Sequence, residues 1–166
     1  MNSIADIHCH IVPYVDDGAA TADVSAELVR MQFGQGVRTI CATPHLRRGM
    51  FETPQDQIIE QFRRLKARTA EEFGSGVELY LSREYHADRL LLSTLEKDAV
   101  LPLGRGKWLL LEFSNRHSLE DIHWFIKTVR EAGFQPLVAH ALDKMVGLNE
   151  VKAQLKTIVD TYTYLR

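Results

Sequence analysis

Short apolar runs alternate along this chain with longer segments in which apolar residues recur at helical spacing. The apolar runs predict strands at residues 4–7, 37–43, 77–82, 107–113 and 136–139. Capping residues and glycines predict helices that begin after Thr21, Thr53, Ser118 and Asn149, and a short Leu-rich helix is predicted from Asp88 to about Leu95. Each predicted strand is therefore followed by a helix.

Details of this pattern make specific predictions about burial and capping. The apolar residues of the first strand, which is expected to be buried, are Ile4, Ala5 and Ile7. The residues expected on the buried side of the first helix are Val24, Leu28 and Met31. Thr53 is expected to cap the second helix, with Pro54 at its favoured first position.

The alternation of strands and helices indicates parallel βαβ units and an α/β fold. The nearly continuous apolar character of the strands fits a sheet or barrel that is covered on both sides. The chain has 166 residues and shows no linker, low-complexity tract or repeat, so a single domain over residues 1–166 is predicted.

Residues that bind metals stand at the end of every predicted strand. His8 and His10 end the first strand, at alternate positions whose side chains point the same way. The corresponding residues of the next four strands are His45, Glu84, Glu112 and His140. A turn at residues 13–18 brings Asp17 back towards the two histidines. Because the C-terminal ends of barrel strands build the active site, we expect these side chains to converge.

Four histidines and three carboxylates suit manganese, iron or zinc, and include too much nitrogen for calcium or magnesium alone. Seven ligands exceed one tetrahedral site, so two or three ions are predicted, with Glu84 as a bridging ligand. Clustered ions lower the pKa of a shared water and hold both oxygens of an in-line displacement, which predicts phosphoester hydrolysis by a metal-bound hydroxide. For the His8 and His10 pair alone, a half-buried pair satisfied by the backbone stays an alternative.

Other polar residues have weaker predicted roles. Arg47 or Arg48 is predicted to hold the phosphate, and a solvated loop is the alternative for both. His86, two residues after Glu84, is a weaker candidate for the same pocket, and Asp16 is predicted to support the ligands from behind. The histidines interpreted as surface residues are His117 and His123.

Charge and composition exclude several classes of partner and location. The formal net charge of -2 gives no electrostatic argument for binding nucleic acid or an acidic membrane surface. No apolar run approaches the length of a membrane span, and the N-terminus lacks the design of a signal peptide. Cys9 and Cys41 are predicted to be reduced core residues of a cytoplasmic protein.

The motifs at the strand ends resemble those of the polymerase-and-histidinol-phosphatase (PHP) superfamily, especially its bacterial capsule-associated tyrosine phosphatases of the CpsB and YwqE type. The matching segments are 6–13 (DIHCHIVP), 16–19 (DDGA), 42–45 (ATPH), 47–54 (RRGMFETP), 111–113 (LEF) and 138–140 (VAH). The resemblance covers the whole chain and implies a distorted, TIM-like (β/α)7 PHP barrel with a trinuclear manganese site. The substrate it implies is phosphotyrosine on a bacterial tyrosine kinase that regulates capsule and exopolysaccharide export.

The resemblance also assigns residues to roles. The metal ligands that it implies are His8, His10, Asp17, His45, Glu84, Glu112 and His140. With this assignment we predict Asp17 and Arg47 as the catalytic residues.

Two departures from the family pattern concern the end of the chain. Residues 142–144 (LDK) stand where the family has a segment with a phosphate-binding arginine, and a final Asp-x-His is missing. We therefore expect about five βα units of an incomplete barrel, with reduced activity and a tendency to form homo-oligomers. The alternatives are another PHP phosphoesterase, such as one acting on histidinol phosphate, and a non-catalytic metal-binding fragment.

Overall fold

The computed structural model of the chain describes residues 4–139. Its strands are β1 (Ile4–Cys9), β2 (Val37–Ala42), β3 (His45–Leu46), β4 (Glu78–Leu81), β5 (Glu84–His86), β6 (Trp108–Glu112) and β7 (Gln135–Ala139). Its helices are α1 (Ala22–Gly34), α2 (Gln55–Phe73), α3 (Arg89–Glu96) and α4 (Leu119–Glu131), with a 3-10 turn at Gly74–Gly76. The helix predicted after Asn149 lies outside the described residues. Across residues 4–139, no helix combines the length and the apolar character that crossing a bilayer requires.

The named strands pair in parallel and form two sheets, with the orders β1-β2-β4 and β3-β5-β6-β7. The chain passes from the first sheet to the second twice, between β2 and β3 and between β4 and β5, so the predicted strands 37–43 and 77–82 are each followed by a short additional strand. Hydrogen bonds continue across the break, because Ser82 N donates to Ala42 O (2.8 Å) and Glu84 N donates to Pro44 O (3.1 Å). The predicted α/β fold with parallel strands is confirmed.

The register of the second sheet places polar residues side by side at one edge. His45 is paired with Glu84 between β3 and β5, and His86 is paired with Glu112 between β5 and β6. Glu112 is in turn paired with Ala139 at the end of β7. The strand ends that the sequence marks with metal-binding residues therefore lie next to one another.

Two apolar cores pack the helices against the two sheets. The first includes Val29 of α1 and Ile58 of α2, both with 0% exposure, and packs on β2 and β4. The second includes Leu91 of α3 and Val129 of α4, also 0% exposed, and packs on β5 and β6. Each sheet thus has its own core, and the crossings join them.

The first strand is less buried than the sequence predicts. Ile4 and Ile7 are 53% and 51% exposed, so the prediction of a buried β1 is wrong. Within residues 4–139, β1 pairs only with β2 and lies at the edge of its sheet, which explains the exposure.

The buried side of α1 is also rotated from its predicted position. Val24 and Met31 are exposed, whereas Leu28 packs against the first core as expected. The helix instead buries Ser25 and Val29. Ser25 tolerates burial because its hydroxyl donates to a carbonyl of the preceding turn, so apolar spacing alone misplaced the helix face.

The predicted helix caps Thr21 and Ser118 are confirmed, and Asp88, predicted as the start of the third helix, is its N-cap. Thr53 does not cap α2, because the helix begins one residue later, after Pro54, with no side-chain cap. The Thr53 hydroxyl instead donates to Val15 O at 2.7 Å and connects two loops.

Candidate metal centre

Two histidines at the end of β1 converge on one point. His8 lies in β1 and His10 follows its last residue, so the two side chains project from the same side. Their Nε2 atoms are 3.3 Å apart. The structure thus brings together the pair that the His-x-His spacing predicts.

Glu84 lies at the centre of this convergence. It is the first residue of β5, and its side chain is completely buried. Its Oε2 atom is 3.1 Å from each of three ring nitrogens, Nε2 of His8, Nε2 of His10 and Nδ1 of His45. Burial would raise the pKa of Glu84, but the surrounding histidines hold it well below its ordinary value.

Further donor atoms extend the cluster around His45. Its Nε2 is 3.7 Å from Oδ1 of Asp17, and its Nδ1 is 3.9 Å from Oε2 of Glu112. Three triplets have all their donor atoms within 4.8 Å of one another: His8–His10–Glu84, His10–Asp17–His45 and His45–Glu84–Glu112. Six of the seven predicted ligands are therefore together, while His140 lies outside the described residues.

Asp16 supports this cluster from behind. Its Oδ2 is 2.8 Å from Nδ1 of His10 and accepts the backbone N–H of His45 at 2.9 Å. Its Oδ1 accepts the backbone N–H of Gly18 at 3.0 Å. Burial would raise the pKa of Asp16, but these hydrogen bonds lower it, so the group is a carboxylate that fixes two histidines at once.

Gly18 allows the loop to pass directly over His10. The backbone N–H of Ala19 donates to His10 O at 3.0 Å. A Cβ added at Gly18 would overlap the carbonyl oxygen and the Cβ of His10. Only glycine fits this close approach without a backbone shift.

The protonation states of the histidines depend on the neighbouring charges. Burial lowers the pKa of His10, but its contacts with Asp16 and Glu84 outweigh burial and raise that pKa to about 10. Burial lowers the pKa of His45 below its ordinary value, and the positive charge of His10 lowers it further. The negative charge of Glu84 raises this pKa but does not outweigh the two. Without a bound cation, His10 is therefore charged at neutral pH and His45 is neutral.

The donor set fits a divalent transition metal. Nδ1 of His45 and both carboxylate oxygens of Glu84 are buried, and none makes a hydrogen bond of normal geometry within residues 4–139. Buried polar atoms are nearly always satisfied by protein, water or an ion. Imidazole nitrogens and carboxylate oxygens are ligands that zinc, iron and manganese accept.

A tight turn after β3 places an arginine next to the cluster. Arg47 and Phe51 exchange backbone hydrogen bonds, both of 2.9 Å, and the Phe51 ring stacks on the His45 ring with centroids 5.1 Å apart. Nη1 of Arg47 is 3.7 Å from Oε2 of Glu112. Arg48 is exposed. Of the two candidate arginines, Arg47 is the one in contact with the cluster.

His86 lies beside the cluster, outside its three triplets. Its side chain is buried, and its Nδ1 is 3.3 Å from Oδ2 of Asp88. The same oxygen accepts the backbone N–H of Arg48 at 3.0 Å. Asp88 therefore connects the end of β5 to the turn that contains Arg47.

The interpretation of His117 as a surface residue is wrong. Its Nε2 is 2.8 Å from Ala87 O, and its Nδ1 accepts the backbone N–H of Ser114 at 3.0 Å. Its ring also packs against that of His86. Apolar periodicity gives no information about this loop, so only the structure reveals the contacts. His123 is exposed, as predicted.

Sequence reasoning missed three neighbours of the cluster, which are Arg83, Phe51 and Asp88. The sequence predicts Asp88 only as the start of a helix, although a residue that closely follows a strand end lies near any site there. For Arg83 the available signal is a basic residue directly next to Glu84, just after a predicted strand. Nothing in the sequence signals the stacking of Phe51 on a histidine.

Comparisons with known proteins agree on one family. Residues 4–166 match the family model described as capsular polysaccharide synthesis, CpsB/CapC. The chain is 36% identical to the tyrosine-protein phosphatase CpsB of Streptococcus agalactiae serotype V over 96% of the chain, and 33% identical to CpsB of Streptococcus pneumoniae. It is 32% identical to the tyrosine-protein phosphatase YwqE of Bacillus subtilis over 81% of the chain and 53% of that relative.

A solved structure agrees with these sequence relatives. The match is to a chain from the crystal structures of YwqE from Bacillus subtilis and CpsB from Streptococcus pneumoniae, described as metal-dependent tyrosine phosphatases. The TM-score is 0.75 at 30% identity, over 85% of this chain and 57% of the matched chain. The chain spans 65% of the length of the CpsB relatives from both streptococci.

Proposed function

The chain belongs to the CpsB/CapC family of capsular polysaccharide synthesis, and from that premise we propose that it is a metal-dependent protein-tyrosine phosphatase. The observation that carries the proposal is the contact of one buried carboxylate oxygen, Oε2 of Glu84, with three histidine nitrogens at 3.1 Å. Such a cluster of nitrogen and oxygen donors suits a hydrolytic metal centre better than it suits packing.

We assign the metal ligands as the residues of the three triplets together with one residue outside the described range: His8, His10, Asp17, His45, Glu84, Glu112 and His140. Manganese is the proposed native metal, bound as two or three ions, with iron and zinc as the alternatives. When bound, the ions supply an activated water and neutralise charge on the phosphoryl group.

The protein's own residues then position the substrate. Arg47 presents a guanidinium at the cluster, and a planar guanidinium can hold two phosphoryl oxygens in a bidentate contact. The Asp17 side chain is 62% exposed and lies beside His45, so a phosphate monoester could reach it from solvent. We therefore propose Arg47 as the residue that orients the phosphate and Asp17 as the catalytic carboxylate.

In this proposal, the chemistry of the leaving group makes aryl phosphate esters the favoured substrates. A phenolate, with a pKa of about 10, leaves with little help from a general acid, whereas an alkoxide needs protonation. We infer that phosphotyrosine is the preferred substrate, on a bacterial tyrosine kinase that regulates polysaccharide export. The free thiols of Cys9 and Cys41 agree with action in the cytoplasm.

Metal content and activity should be measured on the same samples. The purified chain is stripped with a chelator, reloaded with manganese, iron or zinc, and assayed on a phosphotyrosine peptide and on histidinol phosphate. We expect metal-dependent hydrolysis of the peptide, and loss of both bound metal and activity in the double variant His8→Ala/His10→Ala. His123→Ala, which changes an exposed histidine, is the matched control. Faster turnover of histidinol phosphate would overturn the substrate assignment, and metal binding without turnover would overturn the enzymatic one.

A further inference from the structure

Arg83 is a buried arginine directly beneath the candidate metal centre. It lies at the crossing between β4 and β5, next to Glu84, and is 3% exposed. Because neighbouring residues of an extended chain point in opposite directions, Arg83 points away from the cluster that Glu84 enters. A buried guanidinium is costly unless hydrogen bonds satisfy it, so its partners are informative.

The guanidinium bonds to both ends of one loop. Nη2 of Arg83 donates to His45 O at 3.3 Å and to Thr53 O at 2.9 Å. Residues 45–53, which we call the 45–53 loop, include Arg47 and Phe51. A single nitrogen of Arg83 thus holds the entry and the exit of the segment that contacts the cluster.

The backbone of His45 is held by charged residues at both its N–H and its C=O. Its N–H donates to the Asp16 carboxylate at 2.9 Å, and its C=O accepts from the Arg83 guanidinium. The exit of the loop is fixed as well, because the Thr53 hydroxyl donates to Val15 O. Hydrogen bonds from a buried charge are stronger than those between neutral groups.

Between these fixed ends, the loop has its own hydrogen bonds. The backbone N–H groups of Arg47, Met50 and Phe51 donate to carbonyls within the loop, and that of Gly49 donates to the Glu52 carboxylate. The N–H of Arg48 donates to Asp88. Every amide from Arg47 to Phe51 is therefore bonded while the loop keeps this shape.

We propose that Arg83 is a positioning residue for substrate binding: it clamps the 45–53 loop so that Arg47 stays at the cluster. The expected effect on substrate binding rests on the proposed phosphatase function. The clamp itself, which is the pair of hydrogen bonds from Arg83, does not depend on that function. Arg83 does not touch the substrate; it acts through the backbone that supports Arg47 and His45.

The test compares Arg83→Met, which removes both hydrogen bonds, with Arg83→Lys, which keeps a cation with several donors. Hydrogen–deuterium exchange of the 45–53 loop is measured alongside steady-state kinetics on a phosphotyrosine peptide at saturating manganese. For Arg83→Met we expect faster exchange in the loop and a KM raised about tenfold with kcat changed less than about threefold. Arg83→Lys is expected to recover most of both effects.

Val29→Ala is the control, since it destabilises the first core, which includes no residue of the 45–53 loop. A general loss of stability would raise exchange throughout the chain in Arg83→Met, as it does in the control. The clamp instead predicts that faster exchange in Arg83→Met is confined to residues 45–53. Unchanged loop exchange in Arg83→Met would overturn the clamp, and faster exchange with an unchanged KM would overturn its role in substrate binding. If Arg83→Met does not fold, Arg83→Gln, whose shorter neutral side chain cannot donate to both His45 O and Thr53 O, takes its place, and unchanged loop exchange in that variant would overturn the clamp. If the unaltered chain lacks phosphatase activity, the proposed function fails, and the exchange measurement still decides whether Arg83 clamps the loop.

Discussion

Asp16 and His10 are joined by a 2.8 Å contact between Oδ2 and Nδ1, which leaves Nε2 of His10 pointing at Glu84. A carboxylate on one ring nitrogen fixes the orientation of the ring and makes the other nitrogen a better metal ligand. Because the same Asp16 oxygen also accepts the backbone N–H of His45, one carboxylate aligns two of the candidate ligands.

Asp16→Ala should weaken metal binding although it removes none of the candidate ligands. Losing such a supporting carboxylate typically lowers metal affinity about 10- to 100-fold. Asp16→Asn keeps an oxygen that accepts from His10, so its loss should be smaller. Competition with a chromophoric chelator measures both, with Asp23→Ala, an exposed carboxylate in α1, as the control. Equal manganese affinity in Asp16→Ala and the unaltered chain would contradict this role.

Gly18→Ala should disturb both stability and metal binding. The added methyl group would overlap the His10 backbone, so the loop must shift away from the first histidine pair. Overpacking of this kind costs about 1–3 kcal/mol. Thermal unfolding with and without manganese checks the prediction, and Gly34→Ala, where a methyl group meets open space in α1, is the control. A Gly18→Ala variant with unchanged Tm and metal affinity would show that the loop relaxes freely.

Asp88→Asn should lower the free energy of unfolding at neutral pH, and this difference from the unaltered chain should disappear in acid. Burial would raise the pKa of Asp88, but hydrogen bonds from His86, Arg48 and Leu90 lower it. The resulting stability is present above the unfolded-state pKa, about 3.9, and is lost as the pH falls through the lower folded-state pKa. Denaturant unfolding of the metal-free proteins should therefore show a difference of about 1 kcal/mol at pH 7 that disappears near pH 2. A difference that stays constant across this range would contradict the assignment.

Ser118→Ala should destabilise the chain through α4 alone. Ser118 and Asp121 form a reciprocal capping box, and losing an N-cap costs about 1 kcal/mol. Ser118→Asp retains a capping oxygen and should stay within about 0.5 kcal/mol of the unaltered chain. Chemical denaturation measures both variants, and metal affinity should not change because neither Ser118 nor Asp121 belongs to the three triplets. Equal stability of Ser118→Ala and Ser118→Asp would exclude a contribution from the cap.

The sequence predicts where the site lies better than it predicts the contacts that support the site. His45, Glu84 and Glu112 each follow or end an apolar run, and parallel topology then brings such residues to one edge. This inference needs only that the strands run parallel, which the alternation of strands and helices indicates.

The supporting contacts depend on details that periodicity does not contain. Thr53 bonds to Val15 instead of capping a helix, and His117 bonds to the backbone after β5, because loops approach each other in ways set by the whole fold. The exposure of Ile7 reflects the place of β1 at the edge of its sheet, which local pattern does not reveal.

The two passages of the chain from the first sheet to the second have a consequence for folding. His8 and His10 belong to the end of the first sheet, whereas Glu84 and Glu112 belong to the second, and each sheet packs on its own core. An ion held between them would cross-link two separately packed halves, so their association would gain the free energy of metal binding. Unfolding should then be a single cooperative transition with metal bound, and chelation should loosen the junction between the halves before either core melts.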